Sequence, residues 1–224
     1  MFPVRDLNPT EQVPLITYVF IAINLLVFGY QLGLPREVLK QFIHVWGFVP
    51  VDFTQSPGSG EITTAFTSMF LHGGPIHLAG NMLFLWVFGD NIEDELGPVN
   101  FLVFYLLCGI AAVAGQYWAA PYSEIPMVGA SGAISGVMGA YLLLYPSTRI
   151  LTIVIIIYLV RFIYLPAWFF LGYWFLLQFL SGTISMYSDQ SAQGGVAWFA
   201  HIGGFAAGIF LMLLWKSIEK LTHR

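Results

Sequence analysis

Two histidines, an asparagine and a serine stand in stretches that are otherwise apolar: His77 and Asn81 in one, Ser131 in a second, His201 in a third. An ionisable side chain held among hydrocarbon costs roughly 3 kcal/mol or more unless it is paired or hydrated, which makes such residues functional candidates. A hydroxyl and an imidazole that meet form a nucleophile and its general base. Ser131 alone says little, because a serine hydroxyl also bonds back to its own helix and serines populate helix contacts. His77 and Asn81 are four residues apart and so project from one helix face. Buried histidines also serve as a proton path in some transporters. Helical zinc chemistry needs HExxH, which neither His72 nor His77 begins, and Gly73, Gly74 and Pro75 break the register between those two. An aspartyl mechanism needs paired intramembrane aspartates, but Asp90 sits at a helix end and Asp189 in a loop. No metal and no cofactor is expected.

The elements that must position these groups follow from composition. Of 224 residues, 58% are hydrophobic and 9% charged, against the roughly one quarter charged of a soluble domain, so lipid is the main solvent. A net charge of −4 with scattered basic residues lacks the footprint of a nucleic-acid binder. One cysteine, Cys108, excludes an internal disulfide.

A bilayer needs roughly twenty apolar residues per helix. Six runs qualify: Val13 to Leu32, Ile76 to Gly89 (extending to about Leu96), Val99 to Ala120, Val128 to Tyr145, Leu165 to Ile184 and Val196 to Trp215. The expected fold is therefore an all-α polytopic membrane protein with six transmembrane helices. Residues 1–12 and 216–224 form cytoplasmic ends around a membrane domain over 13–215. A seventh run, Leu151 to Val160, is too short to cross as a helix and is read as a re-entrant or interfacial segment. With both termini inside, Arg5, Arg149, Arg161, Lys216, Lys220 and Arg224 fall on the cytoplasmic side and only Arg36 and Lys40 outside. The first run follows charged residues without a small-residue cleavage site, as a retained span does, and the lack of a targeting extension points to a prokaryotic plasma membrane. The outer loop, residues 33–75, carries an apolar face from Arg36 to Trp46, which fits a helix in the interface plane and equally an ordinary extramembrane helix packed on the bundle.

In this topology the second, fourth and sixth spans run in the same direction. Each polar residue lies near the start of its run, so His77, Ser131 and His201 share a depth on the order of 5 to 10 Å below the outer end. Gly132 and Gly136 on one span, and Gly204 and Gly208 on the other, are small-xxx-small pairs that allow backbones to touch. Ser131 and His201 can then come within hydrogen-bonding distance, although two well-packed helices without chemistry would carry the same glycines.

Three segments decide between these readings by resemblance. FTSMFLHGGPIHLAGN at Phe66 to Asn81, VGASGAISGVMGAY at Val128 to Tyr141 and AHIGGFAAG at Ala200 to Gly208 together resemble the rhomboid intramembrane serine proteases. The resemblance implies a six-helix bundle with a membrane-associated first loop. It implies Ser131 as nucleophile, His201 as general base, and His77, Asn81 and Gly129 on the oxyanion side, with a transmembrane protein as substrate. A catalytically silent relative that only binds transmembrane helices is the alternative. The sequence departs from the family at Thr63 and Thr64, where many members carry Trp-Arg, and at Ser135, where an aromatic often packs under the histidine. Something other than residue 135 must orient His201.

Overall fold

Backbone amides find no partner in hydrocarbon, so long apolar runs are stable there only as helices that satisfy their own hydrogen bonds. The computed structural model describes residues 1–187 and 196–222, and Asp189 and Arg224 lie outside them. Nine α-helices occur among the described residues: α1 (Leu15–Leu32), α2 (Arg36–Trp46), α3 (Pro50–Gln55), α4 (Ser59–Thr67), α5 (Pro75–Leu96), α6 (Pro98–Ala119), α7 (Ser131–Leu144), α8 (Ala167–Tyr187) and α9 (Trp198–Thr222). Among the described residues, α1, α6, α8 and α9 are long and apolar enough to cross a membrane. The remaining two apolar runs also fold as helices. Helix α5 ends in Asp90, Glu93, Asp94 and Glu95, and α7 is only 14 residues long, or about 21 Å at 1.5 Å per residue.

The all-α expectation needs correcting at the isoleucine-rich run. Arg149–Ile156 (β2) and Leu159–Pro166 (β3) form an antiparallel hairpin, paired from Arg149 with Pro166 through to Ile156 with Leu159. Phe2–Asp6 (β1) adds to β2 as a third strand, so the amino-terminal segment is built into the fold. Consecutive β-branched residues lose rotamer freedom in a helix and pack well on a pleated surface. The chain turns back at Ile157 and Tyr158, so α7 and α8 are joined at one end of the bundle.

Helix α7 is its centre, with every residue from Gly132 to Tyr141 buried. It meets α9 backbone to backbone: a methyl group at Gly204 would land on the Gly132 carbonyl, and one at Gly208 on the Gly136 carbonyl. On the other side of α9, a methyl at Gly203 would come within 2.9 Å of the Ala111 carbonyl on α6. Helix α9 thus meets both α7 and α6 at backbone range, and dispersion at this range replaces the hydrophobic drive that lipid removes. Tyr141 donates its hydroxyl to the Asp6 carboxylate, tying β1 to α7.

Helix α1 turns Thr17, Phe20, Asn24, Phe28 and Gln31 inward, a recurrence of three or four residues that defines one face. Its first turn has backbone N–H groups without intrahelical acceptors. The buried Glu93 carboxylate of α5 accepts two of them, from Ile16 at 2.7 Å and Thr17 at 2.8 Å. Glu93→Gln places an amide NH2 against one of these donors. It is expected to lower stability by about 2 kcal/mol, read as an earlier unfolding transition in detergent. Helix α5 then stops at Gly97, whose φ of +74° suits glycine, and Pro98 opens α6.

Candidate active site

Ser131 is the first residue of α7, and the chain reaches it through a constrained approach. Phe48 and Met127 exchange backbone hydrogen bonds of 3.2 and 2.8 Å, Gly129 donates its N–H to the Ser68 carbonyl at 2.8 Å, and Gly129 adopts a φ of +122°. That conformation strains any residue with a Cβ. His201 lies one turn into α9 and is buried. The contact of α7 with α9 brings Ser131 Oγ to 2.8 Å from His201 Nε2. The Ser135 hydroxyl, fully buried, donates back to the Ser131 carbonyl at 2.6 Å.

A second cluster faces Gly129. A Cβ there would sit 2.8 Å from His77 Nε2 and 3.5 Å from Asn81 Nδ2, so both groups point at the space that glycine leaves open. Gly129 therefore contributes room, since its own N–H is engaged by Ser68. The Gly73 N–H donates to His77 Nδ1 at 3.4 Å, which leaves the proton on Nε2, toward that space. Asn81 spends one amide hydrogen on His72 Nε2 at 2.8 Å and keeps the other. The Ser131 amide, at the first helical position, has no intrahelical acceptor. Ser131, His201, His77, Asn81 and Gly129 thus come together at one end of the bundle. Three N–H groups and a hydroxyl within hydrogen-bonding distance of an imidazole are the parts that acyl-transfer chemistry requires.

The rhomboid domain family matches residues 59–217, which hold all of these groups. The chain belongs to the rhomboid family. It is similar to the yeast Saccharomyces cerevisiae mitochondrial Rhomboid protein 1, 32% identical over 143 residues, covering 62% of this chain and 39% of that protein. It also resembles two Bacillus subtilis proteins. Rhomboid protease GluP is 34% identical over 136 residues, 61% of this chain and 26% of GluP. Putative rhomboid protease YdcA is 34% identical over 98 residues, 44% of this chain and 49% of YdcA. The matched parts span less than half of each of these relatives. With this membership and the apolar helices described above, the chain is a multi-pass membrane protein.

Against the family pattern, two residues that sequence reasoning missed shape this rhomboid site. Gln178, buried on α8, places Oε1 2.7 Å from His201 Nδ1. The aromatic expected at residue 135 is replaced by rings from elsewhere: Trp174 of α8 lies 5.7 Å from the His201 ring and Trp198 of α9 lies 6.3 Å away, edge-on. An amide inside the apolar run from Leu165 to Ile184 was the available signal for Gln178. His72 is the second. Gln31 of α1 clamps its backbone from both sides, at 3.0 and 3.1 Å, so the end of α1 fixes the ring that holds Asn81. Burial, and then the neighbouring His77, push His72 down to about 4, which keeps its ring a neutral acceptor for the Asn81 amide. Near Thr63 and Thr64 the first loop is anchored by Thr67, whose hydroxyl donates to the Trp46 carbonyl at 2.7 Å.

Proposed function

We propose that this chain is a serine endopeptidase that cleaves transmembrane segments within the bilayer, near the outer face. The observation that carries the reading is the 2.8 Å approach of Ser131 Oγ to His201 Nε2, opposite the donors that face Gly129. His201 takes the hydroxyl proton as Ser131 attacks the scissile carbonyl. His77, Asn81 and the Ser131 amide receive the oxyanion, each such donor contributing roughly 3 kcal/mol in enzymes where it has been removed. His201 then protonates the departing amine, and water hydrolyses the Ser131 ester by the same route.

The topology in this proposal is six spans, with residues 1–12 and 216–224 cytoplasmic in a prokaryotic plasma membrane and residues 33–75 outside. Arg5, Arg149 and Arg161 lie in one sheet, and Lys216 pairs with Glu95 at the end of α5, which gathers basic residues at the end of the bundle away from Ser131. The short α7 is tolerated because it is enclosed by protein and needs no lipid-matched length. A substrate helix must unwind locally to offer its peptide bond. A cavity of about 30 Å³ beside Ser131, lined by Met69, Gly109, Ala112, Ala133 and Ala200, holds a methyl group or a water and little more, so small side chains suit the cleavage position.

The test uses purified protein in liposomes with a transmembrane substrate bearing alanine and glycine near the outer face. Cleavage, together with covalent labelling of Ser131 by a fluorophosphonate, is expected. A protein that binds the substrate without cutting or labelling would be the silent relative, and pH-linked flux without labelling would make it a transporter.

A further inference from the structure

Resting on the peptidase reading, we propose that Gln178 is the third member of the catalytic arrangement, a positioning residue that sets the tautomer of His201 through an amide that cannot turn around. A serine's base must present a lone pair to the hydroxyl, so His201 needs its proton on Nδ1 and none on Nε2. The acceptor on the Nδ1 side decides this. Gln178 stands there at 2.7 Å.

A glutamine side chain has a carbonyl and an NH2 of nearly equal size, and either end can face a histidine. The wrong end is costly. In a soluble serine protease, replacing the triad aspartate by its amide leaves the geometry intact and lowers kcat about 10⁴-fold by holding the wrong tautomer. Here the choice is made one helical turn away. Gln178 Nε2 lies 3.3 Å from the Trp174 carbonyl of the same helix. A carbonyl only accepts, so the NH2 faces Trp174 and Oε1 faces His201. Turning the amide around would bring two acceptors together at Trp174. The sequence of donors then runs in one direction: Gln178 NH2 to Trp174, His201 Nδ1–H to Gln178, Ser131 Oγ–H to His201 Nε2.

An amide also suits the surroundings. A carboxylate at this depth would add a buried charge, whereas glutamine orients the ring without one. Since the acceptor rides on α8 and the imidazole on α9, the arrangement holds only while the two helices keep their register.

Gln178→Met keeps length and volume but removes the amide, and Gln178→Glu keeps an acceptor. Met is expected to lower kcat about 10²-fold with KM within about twofold, and Glu, whose acid form donates to the Trp174 carbonyl and accepts from His201 Nδ1–H, to recover most of that loss. Nitrogen-15 spectra of histidine-labelled protein, with His201 assigned by difference from His201→Gln, should show the Nδ1–H tautomer in the wild type and in Gln178→Glu. Gln178→Met should show a mixture. A wild-type kcat in Gln178→Met, or an unchanged tautomer, overturns the proposal. If wild type cleaves nothing, the peptidase reading fails, and the spectra alone still decide the role of Gln178.

Discussion

Ser131→Ala and His201→Ala are each expected to reduce cleavage by at least about 10³-fold, and the double variant is expected to be no slower than either single one. The hydroxyl is a poor nucleophile until a base removes its proton, and the base has nothing to act on once the hydroxyl is gone. Groups that work as one unit therefore show losses that do not add. A 10³-fold loss corresponds to about 4 kcal/mol of transition-state stabilisation. The measurement is a single-turnover cleavage rate for the four proteins in the same liposomes. Full additivity in the double variant would mean that Ser131 and His201 act separately, despite the 2.8 Å between Oγ and Nε2. Binding of the uncut substrate should survive in all four, because neither substitution adds volume to the site.

Gly204→Ala should be nearly as damaging to activity although it removes no chemical group. Its new methyl would land on the Gly132 carbonyl, next in sequence to Ser131, and backbone cannot swing aside as a side chain can. Helices α7 and α9 must part, and Ser131 and His201 ride on them. A misplacement of 1 Å in a reacting pair costs on the order of 10²-fold, and overpacking of this kind costs about 1 to 3 kcal/mol in stability. The control is Gly29→Ala on α1, where an added methyl meets nothing within 4 Å. That change is expected to be neutral or to stabilise by about 0.5 to 1 kcal/mol. Thermal unfolding in detergent and the cleavage rate separate the two substitutions. Equal behaviour of Gly29→Ala and Gly204→Ala would remove the case for backbone contact as the device that aligns the site.

The apolar runs were legible in the sequence because burial in lipid is a property of each segment by itself. The helix of the first loop was legible for the same local reason: α2 runs from Arg36 to Trp46 as its periodicity predicts. So were the candidate residues, since a histidine or an asparagine among leucines is conspicuous wherever it ends up. Hydropathy records what such a residue costs and is silent about what offsets the cost. Gln178 and His201 are 23 positions apart, and Gln31 and His72 are 41 apart. Glu93 reaches the start of α1 across 77 positions. The isoleucine-rich run shows the same limit in another form: its length excluded a crossing, but a strand acquires its identity from a partner, and one of the partners is the amino terminus. By itself the sequence determined which segments leave water and which groups could react. Only the packing of α7, α8 and α9 decided which of those groups touch, because a hydrogen bond depends on tenths of an ångström between helices that no single segment encodes.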